Sequence, residues 1–200
     1  MCIRDSQVTA ALAHVPAVFE SLGHRVDAAC PDLNDAGYVF DRLRAWSFAM
    51  NHGATFEQDR EHLKKTVQWN VQRGLDLSMA EHQDASRKRN EIYQRVVSFF
   101  ERFDVLLCPV AQVPPFDHGT EYIEEIDGVK LHTYIEWMRV ATDVTMMNCP
   151  AISVPAGFTD DGLPIGLQIV TRPRSDLALL RVAKQFESAT TVGLRRPPMA

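Results

Sequence analysis

Between Gln7 and Leu22 the apolar residues Val8, Leu12, Val15, Phe19 and Leu22 fall three and four positions apart. That is the spacing of one helix face, and Gly23 stands where helices stop. Pro16 lies inside the pattern and lacks the N–H an interior turn needs, so the helix is expected to kink or restart there. The spacing returns as a stripe of Val39, Phe40, Leu43, Trp46 and Phe48. It is clearest from Ala80 to Phe103, where Ile92, Val96, Phe99 and Phe103 share a face and the basic residues point away. His132 to Asn148 again has helical composition. Ser175 offers an N-cap to a closing helix with Leu179, Val182, Ala183 and Phe186 inside.

Other stretches follow strand patterns. HRVDAAC (His24–Cys30) reads as a short strand, and DVLLCP (Asp104–Pro109) is a continuous apolar run that suits a strand covered on both faces. NCPAISVPAG (Asn148–Gly157) places another apolar run between Pro150 and Pro155, and it is read as a short buried strand entered and left through prolines. Ile165, Leu167 and Ile169 alternate with Gly166, Gln168 and Val170. Asp127-Gly128 between β-prone runs predicts a hairpin, while VAQVPPFDHGT reads as a long loop. Helices alternating with short doubly apolar strands predict an α/β fold with helical layers on both faces of a sheet. The strands are few, so the sheet is expected to be partial.

The chain has 200 residues, enough for one substantial domain or part of a larger one. Its 46% apolar and 24% charged content is that of a globular protein. A net charge of −5 gives no reason to expect nucleic acid or an anionic membrane as partner. There is no run of bilayer-spanning length. The opening MCIRDS has neither the apolar segment of a secretion signal nor a glycine at position 2. Cys2, Cys30, Cys108 and Cys149 are scattered without CxxC spacing, which points to free thiols in the cytoplasm rather than to a metal or disulfide framework.

Chemistry is sparse. There is no phosphate loop, HExxH or GxSxG. Ser153 lies mid-strand rather than on the strained turn a serine nucleophile uses, so it reads as a small packing residue. His118, beside Asp117 in a loop, suits a general base, although a solvated loop histidine is the commoner case. Glu61-His62 and Glu81-His82 lack a metal-ligand partner at helical spacing, and Lys64-Lys65 and Arg87-Lys88-Arg89 read as solvated charge runs. Trp46 and Trp137 suit a core or a pocket wall equally. By residue chemistry alone no active site is complete.

FDVLLCPVAQVPP, then NCPAISVPAGFTDDGLPIGLQIV and DLALLRVAKQFE, resemble in order the C-terminal half of the amidase signature family. The upstream ESLGHRVDAACPDL and RNEIYQRVVSFFERFDVLLCP fall in the expected order, so the resemblance covers residues 7–190. It implies a mixed β-sheet sandwiched between helical layers, with NCPAISVPAG as a central strand and hydrolysis of carboxamides through a Ser–cis-Ser–Lys triad. It implies no cofactor and no metal. The triad residues belong to the N-terminal half, and no Gly/Ser-rich nucleophile segment occurs here. Lys64, Lys65, Lys88, Lys130 and Lys184 lack the required context, so no catalytic residue is carried over.

Residues 1–6 are accordingly expected to be a non-native or truncated start, and 191–200 a frayed tail. In relatives the helix entering the NCPAISVP tract lines the acyl pocket, which makes Val144, Thr145 and Asn148 substrate-binding candidates, with Trp137 and His118 at the rim. Relatives carry Asn, Gly and Leu where Thr145, Asn148 and Cys149 stand. The expected partner is a small-molecule amide, with a homodimer of the full-length enzyme as the assembly considered. A glutamine amidotransferase A-type subunit would keep an acid near the start of the pocket helix, where Met138 stands. A degenerate, partner-binding fragment is the non-catalytic alternative.

Overall fold

The computed structural model describes residues 3–195. The described chain divides into two compact units, one formed by the residues up to Pro31 and from Val97 onward, the other by Asp32–Val96. The starts and ends of the expected segments, residues 1–2 and 196–200, lie outside the described residues. Ile3 to Ser6 are tied in: the Asp5 carboxylate accepts the Gln7 N–H at 2.8 Å and caps α1 (Ser6–Leu12). The chain restarts as α2 (Val15–Ser21), with Pro16 in its first turn, where a missing N–H costs no helical bond. Gly23, at φ +86°, follows as the left-handed residue that ends it.

His24–Cys30 was expected as a strand, but residues 24–33 form no regular structure. Val26 alone is half-buried among exposed neighbours, and no described strand lies beside it to complete a ladder. Alternation is half of a strand; the partner is the other half.

In the second unit α3 (Ala36–Gln58) and α4 (Lys65–Leu75) pack together, followed by α5 (Met79–Phe100), which belongs to this unit as far as Val96. Of the stripe read from the sequence only Val39 is fully buried on α3, and Phe40, Leu43 and Phe48 are half-buried. Trp46 is 44% exposed, while Ala36, Val39, Ala45 and Phe56 are buried. Small residues set this contact: a Cβ on Gly74 would stand 2.0 Å from the Ala45 carbonyl oxygen and 2.7 Å from the Ala49 Cβ. Hydrophobic spacing could not find an interface whose requirement is smallness. A reciprocal capping box starts α5: Glu81 accepts the Ser78 N–H at 3.0 Å, and Ser78 Oγ accepts the Glu81 N–H at 3.2 Å. Lys88 pairs with Asp35 at 2.9 Å and Arg87 with Asp84 and Glu91, so that charge run is ion-paired rather than merely solvated.

The sheet belongs to the first unit. Its strands are β1 (Val105–Pro109), β4 (Ala151–Phe158) and β5 (Pro164–Thr171), in the order β1-β5-β4 and antiparallel throughout. Thus β5, not β4, is flanked on both sides. Between them in sequence, β2 (Glu125–Ile126) and β3 (Val129–Lys130) make the expected hairpin, with Asp127 at φ +50° and Gly128 at +79°. These are the two positive angles a type I′ turn demands. The helix read from His132 to Asn148 is shorter than expected, being a 3-10 turn (Glu136–Met138) leading into α6 (Arg139–Met147).

Register explains the prolines. The Thr171 N–H bonds the Pro150 carbonyl at 3.1 Å, and the Val110 N–H bonds the Gly166 carbonyl at 3.2 Å. Alternation from those pairs places Pro155 opposite Gly166 and Pro109 opposite Leu167 at non-bonded positions. Their missing N–H groups therefore face away from β5, and neither proline costs a ladder bond. A bulge follows between Pro155 and Gly157.

Val154, Ala156, Leu167 and Ile169 present one sheet face to Val15 and Phe19 of α2 and to Leu179, Ala183 and Phe186 of α7 (Asp176–Ala189). Phe19 stacks on Phe186 at 5.5 Å. Each large side chain in this cluster contributes about 1.5–3 kcal/mol by leaving water. Ser175 does not cap α7 as expected: its hydroxyl accepts from Arg172 Nε at 3.1 Å. Past α7, residues Val192–Leu194 form a 3-10 turn, and the Arg195 guanidinium lies over the Phe158 ring at 4.0 Å.

Gly74→Ala should lower unfolding stability by about 1–3 kcal/mol, the usual cost of overpacking. A urea titration followed by Trp46 and Trp69 fluorescence would measure it; an unchanged midpoint would contradict the close α3–α4 approach.

Candidate functional site

Helix α6 and its C-cap carry three of the five site candidates and show what each is free to do. Val144 is 8% exposed, an apolar residue buried in the helix. Thr145 is exposed, and its hydroxyl donates to the Ala141 carbonyl one turn back at 2.9 Å. Asn148 is exposed and ends the helix in the left-handed region, at φ +54° and ψ +40°. That conformation favours Gly first and Asn next, because a Cβ crowds the following carbonyl. The glycine that the resemblance implies at this position and the Asn148 found here would meet one backbone requirement. Its identity therefore has a structural cause that holds whether or not its amide meets a ligand.

The rim candidates differ from each other. Trp137 sits in the 3-10 turn before α6, edge-on to Phe116 with ring centres 5.4 Å apart. Its Nε1 is buried and without a hydrogen-bond partner among the described residues. His118 has a fully exposed side chain, 3.8 Å from Asp117 Oδ1. The Phe116–Trp137 contact brings the loop after β1 to the start of α6, while His118 itself stays in solvent. One surface hollow of about 500 Å³ runs along Thr120–Glu125 and another of about 180 Å³ lies around Arg42 and Arg73; neither of these includes a site candidate.

Inside α6, Arg139 Nε donates to Asp143 Oδ1 at 2.6 Å, and Asp143 is only 8% exposed. Thr142 Oγ1 donates to the Arg139 carbonyl at 2.9 Å. At the far end, the Cys149 thiol donates to the Met147 carbonyl at 3.4 Å. Burial pushes this thiol up to about 11. On β1, burial pushes Cys108 up to about 12, and Gln168 Nε2 donates to its sulfur at 3.7 Å. These thiols stay protonated at neutral pH and are poor nucleophiles.

Ser153 lies in β4, exposed and opposite Gln168. Among the described residues, the serine hydroxyl bonds run to Val18, Asn51, Glu81 and Arg172, and none joins a lysine or histidine. Asp59, Glu61 and His62 bring three ligand atoms within 4.8 Å of one another, all exposed and in the other unit. One residue escaped the sequence reading altogether. Gln112, taken as part of a long loop, is 2% exposed, and its Oε1 accepts the Val140 N–H at 3.1 Å. No local motif marks a bond between residues 28 apart.

Comparison with known proteins places this geometry. Residues 2–180 match the Amidase family, and the chain belongs to it. It is 30% identical over 207 residues to an acylamidase of Rhodococcus erythropolis, covering 96% of this chain and 41% of that protein. It is 28% identical over 187 residues to a putative amidase of a Synechocystis strain, covering 92% of this chain and 35% of the relative. A solved amidase structure superposes with a TM-score of 0.84 at 22% identity, covering 92% of this chain and 42% of that one. The chain thus spans about two-fifths of the length of such relatives. The fold and family expectations hold. No helix among the described residues is long and apolar enough to cross a membrane.

Asn148→Gly should leave stability within about 0.5 kcal/mol of the parent, whereas Asn148→Val should cost about 1–2 kcal/mol. Equal denaturation midpoints for the two variants would show that the left-handed turn does not select the residue. For the thiols, raised values predict slow alkylation. At pH 7.5 Cys149 should react with iodoacetamide on the order of 100-fold more slowly than an unperturbed cysteine, speeding up as pH rises toward 11. Peptide mass mapping over a pH series would measure both.

Proposed function

We propose that this chain supplies the C-terminal part of a cytoplasmic serine amidase that hydrolyses a carboxamide to an acid plus an amine or ammonia. The observation that carries the reading is family membership over residues 2–180 in a chain two-fifths as long as its relatives. In this reading the Ser–cis-Ser–Lys triad comes from an N-terminal part outside this sequence. An activated hydroxyl attacks the amide carbon, backbone donors hold the oxyanion, the amine leaves and water releases the acid. Helix α6 forms the acyl wall through Val144, Thr145 and Asn148, with Trp137 and His118 at the rim. Free Cys30, Cys108 and Cys149 agree with the reducing compartment.

Met138 stands half-buried at the N-cap of α6, where an amidotransferase subunit would keep an acid for glutamine's amine. This favours a stand-alone amidase acting on an apolar or aromatic amide.

Residues 1–200 alone should release no p-nitroaniline from p-nitroacetanilide above the buffer rate. Fused behind the N-terminal portion of the Rhodococcus erythropolis acylamidase, in place of that enzyme's matching segment, the same residues should support hydrolysis. Turnover by the isolated chain would sink the placement of the nucleophile. A folded but inert fusion would sink the amidase reading.

A further inference from the structure

We infer that Gln112 is a positioning residue: it fixes the N-terminus of α6 to the end of the sheet and so sets where the Val144–Thr145–Asn148 wall stands. The inference rests on the reading of α6 as that wall.

A nine-residue helix leaves its first N–H groups without partners inside the helix, and an N-cap side chain ordinarily takes one of them at the second or third position. Here the N-cap is Met138, which has no hydrogen-bonding oxygen on its side chain and makes no cap bond. Val140, second in the helix and 9% exposed, cannot turn to water for a partner. Its N–H is taken by Gln112 Oε1 at 3.1 Å, so the cap arrives from a distant loop.

The amide of Gln112 is held at both ends. Its Nε2 donates to the Ile3 carbonyl at 2.8 Å, and its own backbone carbonyl accepts the Asp5 N–H at 2.8 Å. An acceptor is needed at Val140 and a donor at Ile3, so a primary amide in this one orientation satisfies both. Two residues upstream, the Val110 N–H bonds Gly166 and extends the β1–β5 ladder. The linkage therefore runs from the sheet through Val110 to Gln112, across one hydrogen bond to Val140, and along a rigid helix. At 1.5 Å per residue, α6 carries a shift at Val140 to Thr145 and Asn148 little diminished. Gln112 hydrogen-bonds Ile3, Asp5 and Val140 but none of the three wall residues, and acts on them only through α6.

The test is amide hydrogen exchange of the intact chain by NMR, which needs no substrate, so its outcome is independent of the anilide assay. In Gln112→Met, which keeps length and loses both polar atoms, the Val140 N–H should exchange roughly 5- to 30-fold faster, the range expected for a lost cap. The Thr145 and Asn148 amide shifts should move as well, while Leu167 and Ile169 in β5 should keep their protection. Measured at about pH 4, where a carboxyl can hold its proton, Gln112→Glu can accept from Val140 and donate to Ile3 and should restore the Val140 exchange to near the parent rate at that pH. If Gln112→Met does not fold, Gln112→Asn, whose shorter amide cannot span the same gap, takes its place. Unchanged Val140 exchange, an equal acceleration in β5, or a Gln112→Glu variant indistinguishable from Gln112→Met would each overturn the inference.

Discussion

Everything in the first unit hangs on β5. It alone among the described strands is bonded on both sides, to β1 through five register pairs and to β4 along its whole length. Those ladders fix which side of each strand faces α2 and α7, because a slip of one residue would turn every side chain to the opposite face. Leu167 and Ile169 then lie under Phe186, and Phe19 closes over it. The apolar gain from this layer offsets the entropy of ordering the chain, and the ladder bonds specify the arrangement in which that gain is realised.

The same ladder reaches the candidate site by two routes. One is covalent, through Pro150 into Asn148, whose left-handed turn directs α6 away from β4. The other is the hydrogen bond from Gln112 to Val140. Helix α6 is thus held near both ends, its C-terminus by chain geometry and its N-terminus by a borrowed cap. In the proposed reading α6 walls the acyl pocket, and clamping it twice would keep that wall constant, since errors of about 1 Å in a substrate wall matter greatly to reactivity.

Family membership itself was legible because its motif is a run of local necessities. Pro155 and Pro109 stand where strands can tolerate a missing N–H, Asp127-Gly128 where a tight turn requires positive φ, and Gly23 where a helix must stop. The turn and the helix stop are decided within a few residues and were readable without coordinates, whereas the non-bonded places of the two prolines depend on the β1–β5–β4 register. The failures share a different character. His24–Cys30 had the right alternation and nothing to pair with. Ser175 had a good capping hydroxyl that Arg172 claimed. The face of α3 was chosen by Gly74, Ala45 and Ala49, residues too small to register in any hydrophobic stripe.

The sequence alone determined the identity of most helices and strands, the turn chemistry and the family, since these follow from spacing, propensity and steric limits local to the chain. Tertiary structure alone decided that β5 rather than β4 is the shared strand, that Asn148 answers a backbone angle, and that a glutamine in a nominal loop caps a helix 28 residues on. Strand order and remote capping depend on which groups meet in space once the apolar layer closes. No spacing rule along the chain encodes that meeting.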